Sequence, residues 1–393
     1  MNKPGEKRLD VAQVVEDTRA LVRIDSQNPE PGESECAAWV ADRLEAVGLR
    51  VQRQPVGFGR SNLVTGISGS GDAERLVILA HLDTVPVGGG WSYPALDAVI
   101  ENGRVIGRGA SDMKAGLATA LNLARQLAVS NHRPSGDFVF CATVDEEGPE
   151  MAGAHALVAD GMVTKQDQVL ALEPTGLRLR IAQMGLRWLR LSISGKMAHA
   201  GRAHLGVDAN HAMARVVNQL KAQFAELPHE DPLLGKPLVT CGRIEGGVAT
   251  NVVPPSCSAE LDVRLVPPMS VDDACVLVRA TVESVLSDFP GASYELTPLG
   301  AARPPVSASE SSKIVRRLRS AYRQVTGTEI GVGGADGHEA YTDASMVAAL
   351  TGSKSCTVFG PGSSDVAHAA DEYVAVADID TAVRVMEEVV WGW

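Results

Sequence analysis

Three short apolar runs, Arg75–Ala80, Asp137–Val144 and Gln168–Leu172, each lead directly into side chains that can bind a metal ion. The runs are rich in Val, Ile, Leu or Phe and read as buried strands. His81-Leu82-Asp83 closes the first, Glu146-Glu147 follows the second, and Glu173 follows the third. Between them, apolar residues recur at helical spacing over Ala115–Leu127 and Met151–Val158. Strands alternating with helices predict an α/β fold around a mostly parallel sheet. Ligands of such sheets bind at the carboxyl ends of the strands, where these acids fall. Asp112 adds a fourth position, just before a helix and after the turn Gly107-Arg108-Gly109.

The rest of the chain divides around this pattern. Helices are predicted over Asp10–Val22 and Glu33–Val47, the second stopped by Gly48. Near residue 180 the character changes. Leu179–Ile193 reads as a pair of strands around Met184-Gly185, followed by a helix over Val207–Leu227. Strands at Leu238–Ile244 and Ser256–Val266 and a helix at Val271–Asp288 complete an α+β unit of ferredoxin-like type. Alternating βα units resume after Ser307, with helices over Ser309–Thr326 and Asp378–Val390. A chain of 393 residues exceeds one comfortable core. We therefore expect a catalytic domain in two parts, 1–180 and 298–393, with a smaller domain inserted over 181–297.

Composition removes whole classes of function. A formal net charge of -12, with no block of Lys and Arg, argues against a nucleic-acid partner. Apolar stretches such as Leu76–Ala80 are too short to span a bilayer, and Met1–Asp10 lacks the apolar segment of a signal peptide. Six cysteines without a CxxC pair read as free thiols in a reducing compartment, so the expected location is the cytoplasm.

The side chains at the strand ends suit one kind of chemistry. Imidazole and carboxylate bind zinc at about 2.0–2.2 Å. His81 and Asp83 are two residues apart and face one side of an extended chain, so Asp83 can orient the imidazole. Glu146 and Glu147 face opposite sides, so one can hold a metal while the other acts as a base. Taken singly, each signal has a plainer reading: a turn, a solvated acidic patch, or for Asp112 a helix cap. Their convergence on one sheet edge is what favours a metal site.

The motifs resemble those of the family of acetylornithine deacetylase, succinyl-diaminopimelate desuccinylase and glutamate carboxypeptidase. The matching segments are His81-Leu82-Asp83-Thr84-Val85-Pro86, Gly107 to Gly116, Asp145-Glu146-Glu147-Gly148, Leu172-Glu173-Pro174, and Gly360-Pro361-Gly362 through Tyr373. The resemblance implies two zinc ions per chain, replaceable by cobalt or manganese and bridged by Asp112. His81 and Glu173 would complete one site, Glu147 and His368 the other. Glu146 would be the general base beside a zinc-bound hydroxide, with Asp83 orienting His81, and the Asp112–Met113 peptide would be cis.

It also implies that the inserted domain is a lid and a homodimer contact. His199, in Gly195-Lys196-Met197-Ala198-His199-Ala200-Gly201, would stabilise the oxyanion, and Asn251 and Arg264 would grip a substrate carboxylate. Two departures concern the substrate. Ala203 stands where relatives often have proline, and Ala335 precedes Asp336, a substrate-binding candidate, where relatives commonly have Ser or Thr. The implied reaction is hydrolysis of an N-acyl amino acid, a small molecule with a free carboxylate. The alternatives are a carboxypeptidase or dipeptidase, and an inactive ligand-binding relative. The intact metal set argues against the last.

Overall fold

The computed structural model describes residues 8–29, 32–57, 59–131, 133–332 and 341–393. They divide into two compact units. Residues 8–182, 307–332 and 342–393 form the first, and 183–306 with Tyr341 the second.

The first unit is built on a six-stranded sheet. Its order is Gln52–Gly57, Arg60–Ile67, Gly136–Thr143, Ala73–His81, Gln168–Ala171 and Cys356–Val358. The last four strands run parallel, while the first two form an antiparallel hairpin at one edge. Leu76, Val77, Ile78 and Leu79 expose no surface, as expected of a strand covered on both faces. His81 lies opposite Thr143, and Leu79 opposite both Cys141 and Ala171. The parallel strands therefore end level, and the residues that follow them share one edge.

Helix Ala115–Val129 is alanine- and leucine-rich and mostly buried. It packs with Val11–Arg23, whose first turn is capped by the Asp10 carboxylate, and with Val376–Trp391. Its close seat depends on Gly116, where a Cβ would come within 1.9 Å of the Leu172 carbonyl oxygen. A second helical group pairs Ala152–Ala159 with Asp343–Thr351.

The second unit is a four-stranded antiparallel sheet. Its order is Leu238–Gly246, Ser256–Leu265, Gly185–Ser194 and Ser293–Arg303. Alternate residues Leu189, Leu191, Ile193, Ala259, Leu261 and Val263 are buried in one core with helices Ala209–Glu226 and Val271–Leu286. Ser270 and Asp273 form a reciprocal capping box at the start of the second helix. The strand pair expected over Leu179–Ile193 around Met184-Gly185 is present as Ala182–Gln183, two residues long, and Gly185–Ser194, of which only the second joins this sheet. One expectation needs correcting here. The boundary expected at 297 falls inside the strand Ser293–Arg303, which carries the sheet's pattern six residues further.

Among the described residues no helix is long and apolar enough to cross a membrane. All six cysteines are free. Four are buried, and Cys241 and Cys275 are half-buried.

Candidate metal centre

The turn 110–114 carries Asp112 from the end of the Arg104–Ile106 strand into helix Ala115–Val129. The Asp112–Met113 peptide is cis. The Asp112 carboxylate faces two histidines from opposite ends of the sequence. Oδ1 lies 3.1 Å from His81 Nε2, and Oδ2 lies 3.4 Å from His368 Nε2. His368 Nε2 is also 3.0 Å from Glu147 Oε1. Glu173 Oε2 and Glu146 Oε2 stand 3.8 and 4.0 Å from His81 Nε2. Ligand atoms of His81, Asp112 and Glu147 all lie within 4.8 Å of one another. Gly360 allows the segment leading to His368 to cross the Glu173 backbone, where a Cβ would meet the Glu173 carbonyl oxygen at 2.5 Å.

These charges distort one another. Burial pulls the His81 imidazole down, but the carboxylates of Glu173, Asp112 and Glu146 push it well above its usual range. Hydrogen bonds to Asp112 and Glu147 push His368 up to about 10. Burial, reinforced by the Glu173 charge, pushes Glu146 well up. Glu173 rises through burial and the nearby Asp112, whereas imidazole hydrogen bonds hold Asp112 well below the usual carboxylate range against its burial. Among the described residues no lysine or arginine pairs with Asp112, Glu146, Glu147 or Glu173. Four carboxylates and two imidazoles gathered without a basic counterion form a donor set suited to divalent cations.

The supporting shell differs from the expected one. His81 Nδ1 meets the main-chain oxygen of Asp83 at 3.0 Å, while the Asp83 carboxylate is 3.6 Å away. The Asp83 carbonyl is thus the nearer acceptor for the imidazole, with its carboxylate behind. The carboxylate is already committed: it accepts from Asn28 Nδ2 at 2.8 Å and from the amides of Glu146 and Glu147 at 3.3 and 3.1 Å. Glu146 and Glu147 sit on a turn after Asp145, whose φ is 64°, so the turn, and not strand alternation, sends them to different histidines. Asp145 is fixed by Arg60 at 2.9 Å and by Asn28 at 3.1 Å.

His199, Asn251 and Arg264 belong to the second unit. His199 Nδ1 accepts from the Gly201 amide at 3.0 Å, which leaves Nε2 as the protonated, donating nitrogen of the neutral ring. Its segment bridges Val252, next to Asn251. Arg264 donates from Nε and Nη2 to the two oxygens of Asp262, at 2.7 and 2.9 Å. Asp336 lies outside the described residues.

Sequence reading passed over Asp343. It is 2% exposed, and among the described residues neither of its oxygens has a hydrogen-bond partner meeting ordinary geometry, although the Thr143 hydroxyl lies beside it. Burial pushes it up to about 7. The available signal was the pair Thr342-Asp343, a hydroxyl residue before an aspartate, seven positions after Ala335-Asp336 where that pattern was sought.

Comparison with known proteins follows the same lines. The sequence pattern of peptidase family M20/M25/M40 matches residues 77–392. A relative from Mycobacterium tuberculosis that carries the name of a succinyl-diaminopimelate desuccinylase is 29% identical over 382 residues, covering 96% of this chain and 98% of its own. One from Staphylococcus aureus with the same activity in its name is 26% identical, covering 91% and 93%. The fold is similar to that of an M20 family metallo-carboxypeptidase from Sulfolobus solfataricus. That TM-score is 0.81 at 20% identity, over 98% of this chain and 99% of that one. A tripeptidase from Staphylococcus aureus gives 0.79 at 20% identity, over 98% of both chains.

Proposed function

The chain belongs to peptidase family M20/M25/M40 and is a metal-dependent amide hydrolase, and from that premise we propose that it deacylates N-acyl amino acids that retain a free carboxylate. The observation that carries this reading is the division of the two Asp112 oxygens between His81 and His368. His81, Asp112 and Glu173 would hold one cation, and Asp112, Glu147 and His368 a second, both most simply zinc. Such cations supply Lewis acidity and acidify a bound water.

The chain's own groups do the rest. Glu146, raised by burial and 4.0 Å from His81, beyond hydrogen-bond distance, takes the water proton and returns it to the leaving amine. His199, donating from Nε2, stabilises the negative charge that develops on the carbonyl oxygen. Arg264 and Asn251 hold the substrate carboxylate so that the scissile amide stays aligned. Asp83 fixes the backbone from which Glu146 and Glu147 extend. The desuccinylase names of the full-length relatives favour acylated amino acids. The peptidase names of the structural neighbours favour peptides with a free C-terminus. We place the enzyme in the cytoplasm as a homodimer assembled through the second unit. The edge strand Leu238–Gly246 and the exposed Ile244 and Val248 support that contact.

The test combines metal analysis with a panel of N-acetyl, N-succinyl and dipeptide substrates. Two metals per chain are expected, with Glu146→Gln keeping both while losing roughly 10²–10⁴ in kcat. Faster cleavage of dipeptides than of acylated amino acids would replace deacylation by the peptidase reading. A wild type that stays inactive with zinc or cobalt would remove the proposed reaction.

A further inference from the structure

His368 sits on a loop, with half of its side chain exposed and φ at 62°. A residue other than glycine persists in that left-handed region only where its surroundings impose it. Packing does not fix such a side chain, yet it must face Asp112 across 256 residues of sequence. Two buried residues that offer no atom to a cation make this connection. Arg108 and Glu372 are 2% and 0% exposed and pair at 2.6 Å. Glu372 Oε1 accepts from the amides of Ser111 and Asp112, both at 2.9 Å. Arg108 donates to the carbonyls of Ala369 at 3.2 Å and His368 at 3.4 Å, and to that of Val87 at 3.2 Å.

The pair thus joins two chain segments by complementary polarity. Glu372 collects the donors of the Asp112 turn, and Arg108 collects the acceptors of the His368 loop. The planar guanidinium spreads its donors over separate nitrogens in a fixed fork, so it spans these carbonyls and the Glu372 carboxylate together, whereas an ammonium gathers its donors at one point. We propose that Arg108 and Glu372 are positioning residues that set His368 onto Asp112, and so determine the affinity of the second cation more than that of the first. The inference rests on the two-cation reading above.

Cobalt titration of metal-stripped protein by calorimetry tests it, with wild type, Arg108→Met, Arg108→Lys, Glu372→Gln, His368→Ala and the Arg108→Met/His368→Ala double variant. Arg108→Met is expected to weaken the second equivalent about ten- to a hundred-fold, the usual effect of removing a partner behind a metal ligand. The first equivalent should change by less than about threefold, and Arg108→Lys should recover part of the loss. In the His368→Ala background the same substitution should change nothing further, because the ligand it positions is gone. Equal weakening of both equivalents, additive losses in the double variant, or an unchanged second equivalent would overturn the proposal. So would failure of both Arg108→Met and Glu372→Gln to fold, which would make the pair a support of the fold. A wild type that binds only one cobalt overturns the two-cation reading as well. Two equivalents in wild type with additive losses overturn the positioning role alone.

Discussion

At the residue scale, Asp112 holds two imidazoles in competition with any cation. Its carboxylate and that of Glu147 keep His368 protonated to about pH 10, and neighbouring acids push His81 up as well. A cation must displace those protons, so binding near neutral pH releases them. Each proton released should raise the apparent metal affinity about tenfold per pH unit. Titrations at pH 6, 7 and 8 check this, and an affinity independent of pH would contradict it. Asp343 gives a second prediction. Its pKa rises from 3.8 to about 7 on folding, so the folded chain holds that proton more tightly than the unfolded one. Its stability contribution is full below pH 3.8 and is lost as pH rises towards 7. Metal-free Asp343→Asn should therefore overtake metal-free wild type across this interval, with a constant lead above it. Parallel melting profiles at pH 4.5 and 7.5 would contradict that assignment.

At the element scale, the strand Ser256–Leu265 places Asp262 and Arg264 on one face of the sheet, opposite the helices. Trp188, on the adjacent strand, donates from its indole to Asp262 at 3.1 Å, so the acid is itself held. By engaging both Nε and Nη2, Asp262 sets the orientation of the Arg264 guanidinium. Asp262→Asn should loosen that orientation, raising KM by roughly tenfold with little change in kcat. A fall in kcat at constant KM would place Asp262 in the chemical step instead. Strands and helices with strong apolar spacing were legible from sequence to within a few residues, as Ala115–Val129 and Val271–Leu286 show. The hairpin Gln52–Gly57 and Arg60–Ile67 was not, because its edge strand is polar and contains Pro55. Cys356–Val358 is three residues long, too short to carry a periodicity. The acids at the strand ends were visible as residues, but the amides that claim Asp83 and the loop carbonyls that claim Arg108 are backbone groups. Side-chain motifs carry no sign of them.

At the scale of the whole molecule, the acids and the donors invoked for catalysis come from different units. His81, Asp112, Glu146, Glu147, Glu173 and His368 belong to the first, and His199, Asn251 and Arg264 to the second. A two-fold dimer would allow the second unit of one copy to serve the first unit of the other. Mixing two inactive variants separates that arrangement from service within one chain. In a heterodimer of His199→Ala with Glu146→Ala, a trans-acting His199 gives one site an intact Glu146 and an intact histidine, and leaves the other site with neither. Equal mixing makes half of the dimers heterodimers, so about a quarter of wild-type activity should return if subunits exchange freely. If His199 acts within its own chain, every site in the mixture lacks one of the two groups and no activity returns. Light scattering on the same samples fixes the interpretation. A strictly monomeric chain removes the trans role, whereas a dimer that exchanges subunits without regaining activity assigns His199 to its own chain.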